Sequence, residues 1–312
     1  MSLVPAWIFP GQGTLPSLPW PDTALARRLI AAARESRLDL PALLCESDAP
    51  ARSRTRIAQP LILVDCLLKA DDLRQAGLAC HAVAGHSLGE YPALVACGVL
   101  DPLDALRIVI HRGSLMDDVA GGMMAIIKLD TAAVEELCRR SERRVVVANR
   151  NSPKQTVISG ESDALSEVAA WATSAGGRAI RLAVSGPFHS PLMSDAERRL
   201  RTTIQSCRFE DPVVPVVSSV TGESVRSGKR LRELMMSQMT SSVEWMSALQ
   251  GLRSEGVTHA VEVGPGAVLA GIGRRNEAEL TYLSYEEAKE WANSNAESPS
   301  SQAVPEESEE RL

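Results

Sequence analysis

Gly85-His86-Ser87-Leu88-Gly89 has the spacing Gly-x-Ser-x-Gly, which suits a nucleophilic serine at the tip of a sharp strand-to-helix turn. The two glycines let neighbouring backbone pass closely, and the N-terminus of a following helix offers N–H groups to a developing oxyanion. A pattern this short also arises by chance, so its setting matters more. The apolar run from His81 to Ala84 reads as a strand, and Tyr91 to Gly98 reads as a helix with Pro92 tolerated in its first turn. The competing reading is a plain glycine-rich turn. A serine nucleophile needs a base, and the chain has five histidines. His86 adjoins Ser87 on a turn that sends neighbouring side chains in different directions. His81 opens its strand at the expected far end of the sheet, and His259 starts another strand and reads as structural. His111 lies on a helix beside Arg112, and either is free to face a cleft. His189, within Ser185-Gly186-Pro187-Phe188-His189-Ser190, falls where the chain leaves a small inserted domain. Clefts form at such junctions, so position alone favours His189.

The elements that must hold these residues alternate short β-rich runs with helical periods, as in an α/β fold with a largely parallel sheet. Ala6 to Phe9 is expected as a strand ending at Pro10-Gly11-Gln12-Gly13. Ala24 to Ala33 and Pro60 to Gln75 are expected as helices, and Asp101 to Val119 as a longer one with Leu103, Leu106, Val109 and Ile110 on one face. From Met123 to Val184 the order becomes β-α-β-β-α-β, the split ferredoxin-like arrangement, bracketed by Gly121-Gly122 and Gly186-Pro187. Residues 122–189 are therefore read as a small domain inserted into a large α/β domain made of 1–121 and 190–285. Met123 and Met124 read as core strand. Further on, Leu192 to Ser206 and Leu231 to Met239 are expected as helices. Val213 to Val220 and His259 to Val263 are expected as strands, the last ending at Gly264-Pro265-Gly266.

Composition bounds what such a chain does. Of 312 residues, 45% are apolar and 23% charged, as in a soluble globular protein. The formal charge of −6 lies entirely in residues 286–312, where eight Glu face only Lys289 and Arg311. The body is neutral and shows no basic field for nucleic acid. No apolar run approaches the roughly 20 residues that span a bilayer. The N-terminus has no cationic region before Pro10, so no secretory signal is expected. Six widely spaced cysteines without a C-x-x-C pair fit reduced thiols in a cytoplasmic protein better than a zinc site or disulfide framework. Residues 286–312 are rich in Glu, Ser and Asn, with almost nothing apolar after Trp291. They are expected to be a disordered tail serving solubility rather than docking.

Further motifs run through the body in order. Phe9-Pro10-Gly11-Gln12-Gly13 is followed by Gly85 to Tyr91, Arg112-Gly113 within His111 to Met116, and Asn151-Ser152-Pro153 with Val157 to Gly160. Gly186 to Met193, then Gln238 with Val243-Glu244-Trp245, and Glu262 to Gly266 complete the set. Together these resemble the malonyl-CoA:acyl carrier protein transacylase family of acyltransferases, over about residues 5 to 275. The resemblance implies an α/β-hydrolase-like large domain with a mostly parallel sheet, plus the inserted ferredoxin-like small domain. It implies Ser87 as the acylated nucleophile and His189 as general base and then acid. The backbone carbonyl of Gln238 would orient the histidine in place of an acidic residue, and the N–H groups of Gln12 and Leu88 would form the oxyanion hole. Arg112 would grip the malonyl carboxylate through two parallel hydrogen bonds, a geometry lysine lacks. Met116 and Phe188 would wall the pocket, with Asn151 and His86 among the substrate-binding residues.

The resemblance implies malonyl-CoA and an acyl carrier protein as partners, a monomer, and no resident cofactor or metal. Fatty-acid synthesis, a trans-acting polyketide system and a malonate decarboxylase system all fit. The chain departs from the family where Thr14 to Pro21 replaces a helix opening with prolines, which bears on the cleft entrance. A hydrolase clearing acyl groups from carrier proteins is the rival reading, and Arg112 discriminates against it, since neutral acyl chains have no use for a buried cation. A non-catalytic interaction subunit is a third reading.

Overall fold

The structure, a computed structural model, describes residues 4–16, 19–45, 53–276 and 279–296. Its central sheet contains β1 (Pro5–Phe9), β2 (Ala82–Gly85), β7 (Val216–Val217), β8 (Ser224–Val225), β9 (His259–Glu262) and β10 (Thr281–Ser284). The spatial order is β10-β9-β1-β2-β7-β8, parallel throughout except for the edge strand β8. A parallel sheet is covered on both faces, which is why β1 reads Pro-Ala-Trp-Ile-Phe and is buried at every position. Alternate residues feed two cores. Trp7, Phe9 and Val83 face one side, where α3 (Thr55–Gln75) packs, while Ala6, Ile8, Ala82 and Ala84 face the side covered by α10 (Trp245–Ser254).

Helix α3 is apolar on nearly all sides and accordingly buried. It starts five residues before the expected Pro60, which lies inside it and removes one helical hydrogen bond. Its first turn is tied to the end of α5 (Pro102–Asp117) by Asp117, which accepts from Thr55 N at 3.2 Å and pairs with Arg54 and Arg56. Gly113 on α5 allows this approach, since a Cβ there would lie 2.9 Å from Thr55 O.

The second sheet is antiparallel, in the order β4-β5-β3-β6, from β3 (Gly122–Ile127), β4 (Val145–Ser152), β5 (Gln155–Gly160) and β6 (Arg178–Arg181). Helices α6 (Thr131–Arg140) and α7 (Ser162–Ser174) cover one face, giving the β-α-β-β-α-β order expected from sequence. The other face turns toward the large sheet. Met124 joins the small core, but Met123 points the opposite way and lines the cleft, which corrects its reading as core strand alone. The two parts are stitched by Val243, whose N–H donates to Ala148 O at 2.8 Å and whose carbonyl accepts from Arg150 N at 2.9 Å.

Two further sequence expectations need correction. The strand expected over Val213 to Val220 is only Val216–Val217, with Val213 exposed. The tail expected to be disordered from residue 286 instead begins as α12 (Tyr285–Ala296). Ala288 and Ala292, four residues apart on one face, are buried. Tyr285 Oη donates to Asp72 of α3, and Lys289 Nζ pairs with the same carboxylate at 2.8 Å. Residues 297–312 lie outside the described residues. Among those described, no helix is long and apolar enough to cross a membrane.

Candidate active site

The serine sits on the elbow that its glycines permit. Strand β2 ends at Gly85, a 3-10 turn spans Ser87–Gly89, and α4 (Glu90–Ala96) follows directly. A Cβ at Gly85 would overlap the backbone of Gly89 and Glu90, and one at Gly89 would overlap the Phe9 carbonyl. Both positions therefore need glycine for closeness. Ser87 itself takes the left-handed conformation, φ +54°, the strained geometry that lifts its hydroxyl off the sheet. His189, also left-handed at φ +58°, meets it: Ser87 Oγ lies 2.7 Å from His189 Nε2.

The other imidazole nitrogen settles the tautomer. His189 Nδ1 donates to the main-chain carbonyls of Gln238 (3.1 Å) and Ser241 (2.9 Å), so Nε2 keeps its lone pair for the serine hydroxyl. Burial, reinforced by the positive charge of Arg112, pushes His189 down to about 3. It is neutral at ordinary pH.

Arg112 reaches the same serine from α5. Its side chain is fully buried, with Nη1 donating to Gln59 Oε1 (2.8 Å) and Nη2 to both Ser87 Oγ (3.2 Å) and Gln238 Oε1 (3.2 Å). The guanidinium lies 5.8 Å from the Tyr91 ring centre. Among the described residues no carboxylate stands within ion-pair distance of it, and its Nε has no partner. Burial lowers its proton affinity, opposed by the nearby Tyr91 and Glu90. A buried cation held by two amides and a hydroxyl, with no counter-charge, is costly, and a carboxylate would complete it.

The cleft outside Ser87 holds about 240 Å³. Gln12, Leu88, Met116 and Phe188 line it with the serine, together with Met123 and Val157 of the small sheet. Gln12 Nε2 donates to Ser53 O at 3.2 Å, while its buried Oε1 has no partner among the described residues. His86 and Asn151 also line the cleft, joined by a 2.9 Å bond from His86 Nε2 to Asn151 Oδ1. The His86 ring meets Trp245 edge-on at 5.4 Å, and burial lowers its proton affinity. The ten residues singled out from sequence (Gln12, His86, Ser87, Leu88, Arg112, Met116, Asn151, Phe188, His189 and Gln238) thus converge here. His111 does not. It turns away and bonds Thr203 Oγ1 at 2.8 Å.

Several participants escaped sequence reasoning. Gln59 bridges Arg112 to Met116, donating from Nε2 to Sδ at 3.5 Å. Its one signal was a lone amide inside an apolar helical run. Ser241 shares the histidine with Gln238, and Glu90 is buried directly behind the elbow. No cluster of three or more His, Cys, Asp or Glu able to hold a metal occurs among the described residues.

Residues 23–294 match the acyl transferase domain. The chain is 37% identical over 279 residues to a malonyl CoA-acyl carrier protein transacylase of Synechocystis, covering 88% of this chain and 94% of that protein. It is 36% identical over 289 residues to the protein of the same name from Escherichia coli K12, with the same coverage. Among solved structures, an acyl-carrier-protein S-malonyltransferase of Burkholderia pseudomallei superposes with a TM-score of 0.86 at 32% identity, covering 94% of this chain and all of that one. A malonyl-transacylase in complex with its type II PKS acyl-carrier protein gives a TM-score of 0.86 at 31% identity, covering 93% and 99%.

Proposed function

The chain belongs to the acyl transferase domain family, and from that premise we propose that it moves a malonyl group from malonyl-CoA, through an ester on Ser87, to the phosphopantetheine thiol of an acyl carrier protein. One observation carries the reading. Ser87 Oγ is bonded both to the lone-pair nitrogen of a neutral histidine and to a buried guanidinium that has no carboxylate of its own. A hydrolase of neutral acyl chains has no use for that cation, and an interaction subunit has no use for an assembled serine and histidine.

In the first half-reaction the Ser87 hydroxyl proton passes to His189 Nε2 as Oγ adds to the thioester carbonyl. The imidazolium is held by the two carbonyls on Nδ1, which do the work of the acidic residue found in other serine enzymes. The N–H groups of Gln12 and Leu88, both of which line the cleft with Ser87, receive the oxyanion. Collapse breaks the C–S bond, and the CoA sulfur leaves with the proton from Nε2. In the second half, the carrier-protein thiol gives its proton to Nε2, attacks the Ser87 ester, and Ser87 regains its proton.

Arg112 selects the acyl group. Its Nη2 edge faces Ser87 Oγ, where the malonyl carboxylate arrives once the serine is acylated. Met116 and Phe188 close the pocket around C2. The chemistry balances with one serine, one histidine and two thiols, so this reading includes no resident cofactor. It places the enzyme as a monomer in the cytoplasm, where CoA thioesters and its six free thiols are both at home. Intact-mass measurement after mixing with malonyl-CoA tests the reading: one malonyl adduct is expected, mapping to Ser87 and absent from Ser87→Ala. No adduct on the unaltered protein would overturn it.

A further inference from the structure

Glu90, the residue that opens α4 behind the elbow, does not line the cleft; its main-chain N–H donates to the Ser87 carbonyl, and its carboxylate accepts three hydrogen bonds. It is 2% exposed. Oε1 accepts from Ser218 Oγ at 2.9 Å and from Ser219 N at 2.8 Å, and Oε2 accepts from Gln238 Nε2 at 2.6 Å. No cation pairs with it among the described residues. A buried carboxylate satisfied entirely by neutral donors is expensive to keep, which calls for a purpose.

The purpose lies in what Gln238 can do once Glu90 holds it. The Gln238 amide nitrogen has two protons, and both are committed: one to Glu90 Oε2 and one to the main-chain carbonyl of Ser87 at 2.8 Å. Its oxygen must then point the other way, and there it accepts from Arg112 Nη2 at 3.2 Å. Inverting the amide would set its oxygen against the Glu90 carboxylate and its N–H groups against the guanidinium. Both contacts are repulsive. A neutral residue at position 90 removes this bias, because an amide there can present either end to Gln238.

From this geometry we infer that Glu90 is a positioning residue for acyl-group selection: through the locked amide of Gln238 it aims the Nη2 edge of Arg112 at the acyl site on Ser87. The inference rests on the malonyl-transfer reading above. It separates two duties of Gln238. The main-chain carbonyl serves His189 and is independent of the amide orientation, whereas the side chain serves Arg112. Glu90 therefore governs which acyl group is accepted while leaving the proton-transfer pair in place.

The experiment compares Glu90→Gln with the unaltered protein for acylation by malonyl-CoA and by acetyl-CoA, with thermal melting as a check on folding. The malonyl-to-acetyl ratio of kcat/KM is expected to fall on the order of ten- to a hundredfold, the range for misaligning one charge-assisted hydrogen bond. The fall should appear in the malonyl value, with acetyl transfer kept. Equal loss for both donors in a folded variant would mean a structural role only and would overturn the inference, as would an unchanged ratio. Should Glu90→Gln fail to fold, Ser218→Ala removes one of the three anchors and is expected to lower the same ratio more mildly; a ratio equal to that of the unaltered protein overturns it. If the unaltered protein itself forms no malonyl adduct, the underlying transfer reading fails first, and the two failures are distinct.

Discussion

Replacing Arg112 with methionine keeps a long side chain in a fully buried position and removes its charge. Contacts of 3.2 Å from Nη2 to Ser87 Oγ and 2.7 Å from there to His189 Nε2 put the guanidinium within about 6 Å of the nitrogen that must take a proton. At an effective dielectric of about 20, two unit charges about 6 Å apart repel by about 3 kcal/mol, equivalent to about two pH units of proton affinity. His189 is held at about 3 by burial first and by this charge second. Without the guanidinium, burial still holds it below the ordinary histidine value, but it rises by about one to two pH units. Only the neutral imidazole accepts the serine proton, so the rate falls as pH drops through the His189 value. Raising that value brings the fall into milder acid. The assay is the pH profile of kcat/KM for Ser87 acylation by acetyl-CoA, which carries no carboxylate and reports the free enzyme. The unaltered protein is expected to hold its rate down to about pH 4, and Arg112→Met to lose it below about pH 5. Coincident profiles would refute the claim that Arg112 restrains the histidine. A malonyl carboxylate seated on Arg112 neutralises the same charge, so the substrate itself makes His189 a stronger base, and kcat with malonyl-CoA should fall at a higher pH than acetyl kcat/KM.

Gly89→Ala places a Cβ on the Phe9 carbonyl at the C-terminal end of β1, a strand paired on both sides, where neither backbone can retreat. A loss of at least about 3 kcal/mol in unfolding free energy is expected, and a denaturant midpoint near that of the unaltered protein would contradict the elbow argument. Ending the chain after Ser284 strips α12 from α3, exposing the surface that Ala288 and Ala292 cover and freeing Asp72 from Tyr285 and Lys289. The melting temperature should drop by about 5–10 °C. Ending it after Ala296 should leave melting and malonyl transfer unchanged, and a large drop there would show that the acidic remainder contributes to the fold.

The elements that carry the site were readable because local rules govern them. Gly85 and Gly89 flank a serine between an apolar strand and a helix, and that pattern needs no knowledge of distant residues. His189 could be chosen by its place at a junction between two rhythms of secondary structure. The failures share a different cause. Glu90, Gln59 and Ser241 have roles only because segments far apart in sequence converge: Gln238 lies 148 residues from Glu90, and Gln59 lies 53 from Arg112. Locally, each is one polar residue in an ordinary helix or turn. The tail was misjudged for a related reason. Its average composition describes residues 286–312 as one polar segment, whereas two alanines one helical turn apart, with Tyr285 and Lys289 on Asp72, seat its first part on α3.

Of the residues sequence reasoning missed, Ser241 holds the histidine, while Gln59 and, through Gln238, Glu90 frame the buried charge of Arg112. Serine, histidine and the elbow would support acyl transfer of almost any thioester. Under the proposed malonyl transfer, the choice of a carboxylated acyl group would depend on a buried cation, on two amides that hold it without neutralising it, and on a buried carboxylate one residue further back. Placing Glu90 in contact with Arg112 would have been the cheaper way to bury both charges, but it would have closed the guanidinium to substrate. Inserting the Gln238 amide between them keeps the anion near enough to lower the cost of the cation while leaving an edge of that cation facing Ser87. On this argument Gln238→Glu, which sets a carboxylate directly against Arg112, should abolish the preference for malonyl over acetyl groups more completely than Glu90→Gln does. A Gln238→Glu variant that still preferred malonyl would show that the separation of the two buried charges is not what leaves the site open.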